Sequence, residues 1–415
     1  MDVHPKFAPD LTSEKLMKTP YQFNRMEFSG SLGDLGTLLP LTMGMIMVNG
    51  VSATGTFFTI GLFYICAGLY FGVPVPVQPM KAISSYAIAT GVSVSQISGS
   101  AALTCIFLFF IGISGSINLI GRIVPKSVIR GIQLSTGILL MIQGVRLIIG
   151  QSPQQLTAGS AEPFFSITSI GPIPIGICFG ILGALITLFL MHNKKYPAAL
   201  VLIVTGFVTG LFFTKSGTIT NISFGFHLPE LLPFGLPTQP DLLIAFFVLV
   251  LPQIPMTMGN AIIANADLSK EYFGVQSEKV TYKTTTLSMA FANGISFLLG
   301  GIPLCHGAGG LAAHYKFGAR TGGSNIIIGM IFLFLALFFG NHAVSLMHLL
   351  PLSILGVLLI FAGGQLGLTI LDMMNRKDMF VVLIILTITL TTNLSWAFGV
   401  GLITAHLLQT KKLSI

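Results

Sequence analysis

Long hydrophobic runs, separated by short polar or Gly/Pro-containing stretches, fill most of the 415-residue chain. An α-helix needs about 20 mainly apolar residues to cross a bilayer. Twelve such segments are predicted, at 28–47, 52–71, 98–121, 127–149, 170–191, 197–213, 240–264, 284–301, 325–340, 347–370, 379–392 and 394–409. This pattern is typical of an all-α polytopic membrane protein.

Two further apolar stretches, 73–91 and 302–319, open with Pro-containing extended backbone before a run that permits helix. At membrane depth, non-helical backbone is tolerated only where it is buried in protein or lines a polar cavity. Each stretch is therefore predicted as a short strand-like lead followed by a half-helix. Counted as segments 3 and 10, they bring the prediction to fourteen transmembrane segments.

The basic residues support this count. With fourteen segments and a cytoplasmic N-terminus, 18 of the 21 Lys and Arg residues fall on the cytoplasmic side, as the positive-inside rule requires. The exceptions are Lys81, Arg146 and Lys215. We therefore predict cytoplasmic tails at 1–27 and 410–415 and an extracytoplasmic connector at 214–239.

The fourteen segments divide into two repeats, 28–213 (helices 1–7) and 240–409 (helices 8–14). Pro79 and Pro303 of the two broken segments lie 224 residues apart, and Pro125 and Pro351, at the starts of helices 5 and 12, lie 226 apart. Seven helices per repeat give the second repeat inverted topology. Interrupted segments at matching positions of inverted repeats indicate a transport site near the bilayer midplane.

Composition excludes several other classes. The chain is 53% hydrophobic and 8% charged, against roughly 25% charged in soluble domains, so no soluble domain is expected. The net charge of +8 is attributed to topology and not to nucleic-acid binding. The four cysteines have no metal-site or disulfide spacing, and the 13 acidic residues include no HExxH motif, which disfavours an enzyme. We predict no metal and no cofactor.

The first broken segment contains Gln78, Pro79, Met80 and Lys81. With Pro79 in the first helical turn, the amides of Met80 and Lys81 and the Lys81 side chain would face one point and bind an anion. A lysine at membrane depth is costly, which favours a functional role. The alternative is a lysine that snorkels or pairs with Asp34.

The second broken segment contains Cys305, His306 and Gly307, followed by further glycines that leave backbone amides accessible to an oxyanion. Two helix N-termini at roughly +0.5 each, together with Lys81, provide a charge of about +2, which matches a dianion. His306 is a candidate to donate to the anion or to carry a proton; a histidine bonded within a packed core is the alternative.

Helices 1 and 8 provide the remaining candidates. Gly33 belongs to a stripe of glycines at every third position, beside Asp34. Asp34 is interpreted as an ion or proton site or a counter-ion, or else as a structural carboxylate. Gln253 and Asn260 lie at helical spacing and are predicted to line the same cavity, unless they serve only interhelical hydrogen bonding.

Three runs carry a resemblance to a known family: GSLGDLGTLLP (30–40), PVQPMKAIS (76–84) and PLCHGAGGLAAHYKFGARTGG (303–323). Together they resemble the signature segments of molybdate transporter type 1 proteins, which are related to SulP anion transporters and, more distantly, to nucleobase-ascorbate transporters. The resemblance implies a core domain of helices 1–4 and 8–11, a gate domain of helices 5–7 and 12–14, an oxyanion between half-helices 3 and 10, and homodimers.

Two departures from the wider superfamily modify this expectation. The chain ends at Ile415 without the C-terminal STAS domain usual in SulP proteins, which favours the molybdate branch. Relatives in the SulP and nucleobase groups place a carboxylate about where Asn260 stands here. The coupling candidates are therefore Asp34 and His306.

The sequence thus predicts a secondary transporter that imports molybdate by alternating access, with tungstate or sulfate as competitors and a proton or cation as coupling ion. In this interpretation Lys81 neutralises the anion, and Gln78 and Asn260 tune selectivity. The amides of Met80, Lys81, His306 and Gly307 bind its oxygens. The protein is expected to be an integral multi-pass membrane protein in contact with lipid, located in the cell (inner) membrane if the source is prokaryotic. A sulfate carrier is the alternative, and a nucleobase carrier, a channel or an enzyme is less favoured.

Overall fold

A computed structural model describes residues 21–116, 124–191, 193, 197–215 and 224–409. Its helices are α1 (Arg25–Ser31), α2 (Leu35–Asn49), α3 (Ala53–Phe71), α4 (Lys81–Thr90), α5 (Val94–Ser114), α6 (Lys126–Ile149), α7 (Pro153–Ala158), α8 (Ile175–Leu190), α9 (Ala198–Phe213), α10 (Gln239–Ser277), α11 (Tyr282–Leu299), α12 (Ala308–Lys316), α13 (Gly323–Phe339), α14 (Ala343–Met347), α15 (Leu352–Gly367), α16 (Arg376–Thr391) and α17 (Leu394–Gln409). Its strands are β1 (Gln78–Pro79), β2 (Ser169–Ile170), β3 (Ile173–Pro174) and β4 (Leu304–Cys305).

Each of the fourteen predicted segments contains a helix. Within the described residues, five helices are individually long and apolar enough to cross a membrane, or six if the bent pair α1–α2 forms one span. Four shorter apolar helices accompany them. The count of fourteen spans stays a prediction, and residues 1–20 and 410–415 of the predicted tails and 216–223 of the predicted connector lie outside the described residues.

The first predicted helix, 28–47, is broken. Its two parts, α1 and α2, meet at 43°, with Leu32, Gly33 and Asp34 between them. Asp34 is the N-cap residue of α2 but makes no side-chain cap bond there. The carboxylate is therefore free to turn towards other elements, and the prediction of one continuous helix is wrong at this point.

Helix α10 is longer than the predicted 240–264 and contains two π-helical stretches, Ala245–Val250 and Thr257–Ala264. Pro252 and Pro255 lie between these stretches and supply no N–H to the helical ladder. Such irregularities in a helix are frequent at functional sites. Asn260 lies in the second stretch.

Two antiparallel helix pairs, α3 with α13 and α6 with α15, pack with their backbones in close approach. A Cβ on Gly137 of α6 would lie 2.5 Å from the carbonyl oxygen of Gly363 of α15. A Cβ on Gly61 of α3 would lie 2.7 Å from the carbonyl oxygen of Gly329 of α13. Small residues allow this approach between membrane helices. Each pair joins one helix from each predicted repeat.

This packing predicts a contrast between two glycines that lie near each other in the fold. Gly137→Ala forces a Cβ onto backbone that cannot move aside, and we expect a loss of about 1–3 kcal/mol of stability from overpacking. Gly364→Ala is the control, because a Cβ there meets nothing within 4 Å. Thermal unfolding of the purified variants measures the difference, and equal stability would contradict the packing described.

A buried carboxylate in the connection between α7 and α8 caps the start of α15. The Glu162 side chain accepts hydrogen bonds from the backbone N–H of Leu352 (2.8 Å), the N–H of Ser353 (2.9 Å) and the Ser353 hydroxyl (2.6 Å). The two backbone N–H groups are unpaired donors of the first helical turn, and the carboxyl oxygens of Glu162 satisfy them. The connection after α6 is thereby fixed to α15.

Glu162 also predicts a pH dependence of stability. Burial raises the pKa of its carboxyl from 4.5 to about 7, and the hydrogen bonds from Ser353 and Leu352 partly offset this. The pKa of Glu162 is higher in the folded than in the unfolded state. The contribution of its neutral carboxyl to folding stability is therefore fully present below about pH 4.5 and is lost as the pH rises through about 7. We expect the difference in melting temperature between wild type and Glu162→Gln to change over this range. Exposed Glu271→Gln is the control and should show no such change.

Candidate functional site

The two broken segments meet in a two-residue antiparallel ladder. Strand β1 pairs with β4, so that Gln78 lies opposite Cys305 and Pro79 opposite Leu304. The backbone N–H of Met80 continues the ladder by donating to the Pro303 carbonyl at 2.9 Å. The strand-like leads predicted from the sequence are thus paired with each other, which places the starts of α4 and α12 side by side.

Two asparagines from neighbouring helices complete the hydrogen bonding of the leads. Asn325 of α13 donates to the Val75 carbonyl at 2.6 Å. Asn293 of α11 donates to the Leu304 carbonyl at 2.7 Å and accepts from the Leu304 N–H at 3.1 Å. Non-helical backbone inside a membrane protein requires such partners. Neither residue was predicted from the sequence, although an isolated asparagine within an apolar helix was the available signal.

Both half-helices begin later than the sequence suggested. Met80 is the N-cap of α4 and Gly307 that of α12, so Pro79 lies in β1 and not in a helical turn. The amides of Met80 and His306, predicted to bind the anion, are engaged by Pro303 and by the Met289 sulfur (3.3 Å) respectively. The amides without an intrahelical partner are those of the next residues.

Gln253 of α10 caps the first half-helix. Its Oε1 accepts from the backbone N–H of Ala82 (2.9 Å) and Ile83 (3.3 Å), while its Nε2 donates to Thr257 Oγ1 at 3.0 Å. Gln253, predicted to line the anion cavity, therefore uses its amide to hold α4 in place. Of the two half-helices, α12 has the less encumbered N-terminus, since glycines occupy two of its first three positions.

Lys81 provides the positive charge of the site. Its side chain is partly exposed, and Nζ lies 4.0 Å from the position that a Cβ would take on Gly309, near the start of α12. Among the described residues, the ion pairs within 4.0 Å are those of Lys126 and Arg130 with Asp372. The Lys81 ammonium therefore does not form a direct ion pair with Asp34.

Asp34 also lies at the start of α12, where it is hydrogen-bonded to Gln78. Gln78 Nε2 donates to Asp34 Oδ2 at 2.6 Å, and both side chains are buried. A Cβ on Gly310 would lie 2.6 Å from that Oδ2 and 2.7 Å from that Nε2. The hydrogen-bonded pair thus rests directly on α12, and glycine at 310 makes room for it.

The other end of the Gln78 amide faces the N-cap of α12. Gln78 Oε1 lies against Gly307, in the space a Cβ would fill, and it is buried without a hydrogen-bond partner. Asn260 Nδ2 lies 3.5 Å from the same point. The sequence-predicted residues Gln78, Asn260, Lys81 and Gly307 are therefore brought together around the start of α12.

The His306 side chain points away from this group. Its Nδ1 lies 2.9 Å from the Pro76 carbonyl, and its Nε2 lies 2.8 Å from the Ser288 hydroxyl. Since a carbonyl only accepts, Nδ1 carries a proton and donates it to Pro76. The Ser288 hydroxyl also donates to the Thr285 carbonyl at 2.9 Å. The ring also packs on Phe63, with centroids 4.9 Å apart. His306 thus ties the two broken segments to α11.

Gly33 and Cys305 pack against the backbone of neighbouring elements. A Cβ on Gly33 would lie 2.7 Å from the Ala313 carbonyl oxygen, so Gly33 permits α12 to approach the break between α1 and α2. Cys305 is buried in β4, with its sulfur 3.9 Å from the Pro79 carbonyl oxygen. Both residues shape the site through backbone proximity.

This site lies in a chain whose family is recognisable. The family model described as a molybdate transporter of the MFS superfamily matches residues 26–140 and 245–366, which is more than half of the chain. The chain belongs to the molybdate transporter family. The matched ranges include both broken segments and the residues gathered around α12. The resemblance predicted from the three sequence runs is confirmed.

Named relatives agree with this assignment to the molybdate transporter family. Molybdate transporter 2 of Arabidopsis thaliana is 29% identical over 425 residues, covering 93% of this chain and 88% of the relative. Molybdate transporter 1 of Chlamydomonas reinhardtii is 29% identical over 485 residues, covering 94% and 93%. As a member of this family the chain is an integral multi-pass membrane transporter and not an enzyme.

Solved structures show which fold this member of the family adopts. The transmembrane domain of the cyanobacterial bicarbonate transporter BicA matches with a TM-score of 0.64 at 14% identity, covering 93% of this chain and 98% of that one. SLC26A9 matches with a TM-score of 0.65 at 12% identity. The match covers 94% of this chain, which spans 66% of the SLC26A9 chain. The chain shares the inverted-repeat fold of these transporters.

Proposed function

We propose that this protein is a secondary active transporter that imports molybdate by alternating access. The anion binds between the N-termini of α4 and α12, next to Lys81. The observation that carries the proposal is the position of the Lys81 ammonium, without a direct carboxylate partner among the described residues, against the glycine-rich start of α12. Membership of the molybdate transporter family supports the choice of anion.

The charges around α12 suit a dianion. Two helix N-termini contribute roughly +0.5 each, and Lys81 adds one full charge. The amides of Ala308, Gly309 and Gly310 bind the anion oxygens, and Asn260 Nδ2 contributes a side-chain donor nearby. A rigid cage of backbone donors favours a tetrahedral oxyanion over a planar heterocycle, for which no carboxylate partner is present on α10 at position 260.

Sulfate is the second candidate substrate. It carries the same charge and shape as molybdate and differs mainly in size and hydration. The deciding experiment is a binding competition among molybdate, tungstate, sulfate and uracil on the purified protein. We expect molybdate and tungstate to displace each other and to bind at least tenfold more tightly than sulfate, while uracil does not compete. If sulfate binds more tightly than molybdate, the proposed substrate is sulfate and not molybdate.

The remaining architecture is proposed with the same function. In the numbering of the fourteen predicted segments, segments 1–4 and 8–11 form a core domain. This core domain carries the site past a gate domain of segments 5–7 and 12–14. Fourteen spans place both termini in the cytoplasm, and the protein forms homodimers. Cysteine accessibility on either side of oriented vesicles tests the topology, and cross-linking tests the dimer.

A further inference from the structure

The Asp34–Gln78 pair contains an unusual feature for an anion site. The carbonyl oxygen of the Gln78 amide, and not its NH₂ group, faces the N-cap residue Gly307 of α12. That oxygen is buried and has no hydrogen-bond partner. Leaving such an acceptor unsatisfied destabilises the folded state. Its partial negative charge also opposes an oxyanion at this helix start.

The observed direction of the amide is the one that an ionised Asp34 requires. An ionised carboxylate accepts hydrogen bonds but cannot donate, so Gln78 must turn its Nε2 towards Asp34 Oδ2. A protonated carboxyl has one O–H donor. It can donate to Gln78 Oε1, which then leaves the cap of α12 and places the NH₂ group there instead. Because the oxygen and nitrogen of an amide are nearly the same size, the exchange leaves the heavy atoms of the side chain in nearly the same positions.

We propose that Asp34 and Gln78 form a proton-coupled amide switch, in which protonation of Asp34 turns the Gln78 side chain so that it donates to the bound oxyanion. The inference rests on the proposed function and names a proton as the co-substrate. One proton from solution binds the carboxylate, the Nε2–Oδ2 hydrogen bond is exchanged for an O–H–Oε1 bond, and no covalent bond to carbon changes. Release of the anion and loss of the proton restore the state described here.

The net charge around the proposed anion site also favours anion binding when Asp34 is protonated. With Asp34 ionised, the roughly +2 of Lys81 and the two helix N-termini is reduced to about +1, which is too little for a dianion. Protonation restores the charge of about +2. Gln78 is thus a direct hydrogen-bond donor to the anion, and Asp34 is a positioning residue that acts through Gln78 and through this field.

Other titratable groups surround Asp34, and the experiment must hold them constant. Lys81 of α4, Tyr64 of α3 and Cys305 of β4 interact with it electrostatically. His314 of α12 lies farther along and is bound through Nδ1 to the Gly30 carbonyl at 2.8 Å. Changing Asp34 alone leaves all four in place.

The test is calorimetric binding of molybdate to the purified full-length protein between pH 5.5 and 8. Titrations in buffers of different ionisation enthalpy give the number of protons taken up. For the wild type we expect uptake of about one proton per anion and affinity that falls at least tenfold across this range. In Asp34→Asn the new amide can donate permanently to Gln78 Oε1, so we expect tight binding that no longer varies with pH and takes up no proton.

A second variant separates the amide from the charge. In Gln78→Leu, binding at low pH should weaken at least tenfold, whereas Asp34→Asn with Gln78→Leu should be as weak as Gln78→Leu alone. Infrared difference spectra should show a protonated carboxyl band when molybdate binds the wild type, and this band should be absent in Asp34→Asn. The same molybdate solutions serve all proteins, which controls for protonation of the anion itself.

The outcomes are distinguishable. If the wild type binds none of the tetrahedral oxyanions, the proposed function fails. If the wild type binds molybdate but takes up no proton, or if Asp34→Asn keeps the wild-type pH dependence, the switch alone is overturned. Loss of binding in a folded Asp34→Asn protein, judged by its melting temperature, also overturns the switch, because that variant preserves the required donor.

Discussion

Replacing Lys81 by alanine is expected to reduce molybdate uptake into reconstituted vesicles by at least tenfold. The change removes the ammonium beside the start of α12, and a hydrogen bond to a charged group contributes about 1.5–3 kcal/mol. A free-energy difference of 1.4 kcal/mol corresponds to a factor of about ten in affinity. Initial uptake rates of labelled molybdate, normalised to the amount of reconstituted protein, provide the measurement.

Lys215→Ala is the matched control for this experiment. Lys215 lies after α9, and its ammonium donates to the Pro163 carbonyl at 2.8 Å, remote in sequence from both half-helices. Molybdate uptake by the Lys215→Ala protein should stay within a factor of two of the wild type. Undiminished uptake by a folded Lys81→Ala protein would remove Lys81 from the site and with it the proposed position of the anion.

A single methyl group at position 310 should have an effect of similar size. In Gly310→Ala the new Cβ meets the Asp34–Gln78 pair, at 2.6 Å and 2.7 Å from the two bonded atoms, and the Pro76 side chain at 2.9 Å. The pair must separate or α12 must move away from it. We expect uptake to fall at least tenfold and overpacking to cost about 1–3 kcal/mol of stability.

Gly36→Ala serves as its control. Gly36 lies near Asp34 in sequence, but a Cβ there meets only the Ala199 side chain, at an ordinary contact distance of 3.4 Å. Uptake and melting temperature are measured on both variants. Equal behaviour of Gly310→Ala and Gly36→Ala would show that the space at position 310 is not needed by the pair.

Much of the helical framework follows from the apolar pattern of the chain. A spanning helix needs a run of a certain length, and this requirement locates elements such as α3, α6 and α11 to within a few residues. The pattern says less about where a helix breaks. Both the bend before Asp34 and the π-helical stretch around Asn260 lie inside apolar runs, so the hydropathy of the chain does not mark them.

The residue types of the site were predictable, but their roles were only partly so. Lys81, Asp34 and Gln78 stand out because polar groups are costly at membrane depth. The direction of each side chain depends on tertiary partners. For Gln253 and His306 the sequence left both an anion contact and a structural hydrogen bond open. In the structure Gln253 caps α4, and the His306 side chain bonds to Pro76 and Ser288. Sequence spacing places residues on a helix face without saying which neighbour satisfies them.

The ladder between β1 and β4 has a consequence for the direction of transport. This ladder ties the starts of α4 and α12 together. In the proposed mechanism we therefore expect the two half-helices to move as one unit, with the proposed anion donors in a constant mutual geometry. In that mechanism we expect the anion to meet the same donors whichever side of the membrane the site faces. Such a carrier is inherently reversible, so net flow into the cell must come from the gradients of the anion and its co-substrate and from the membrane potential, and not from a difference between an outward and an inward binding site.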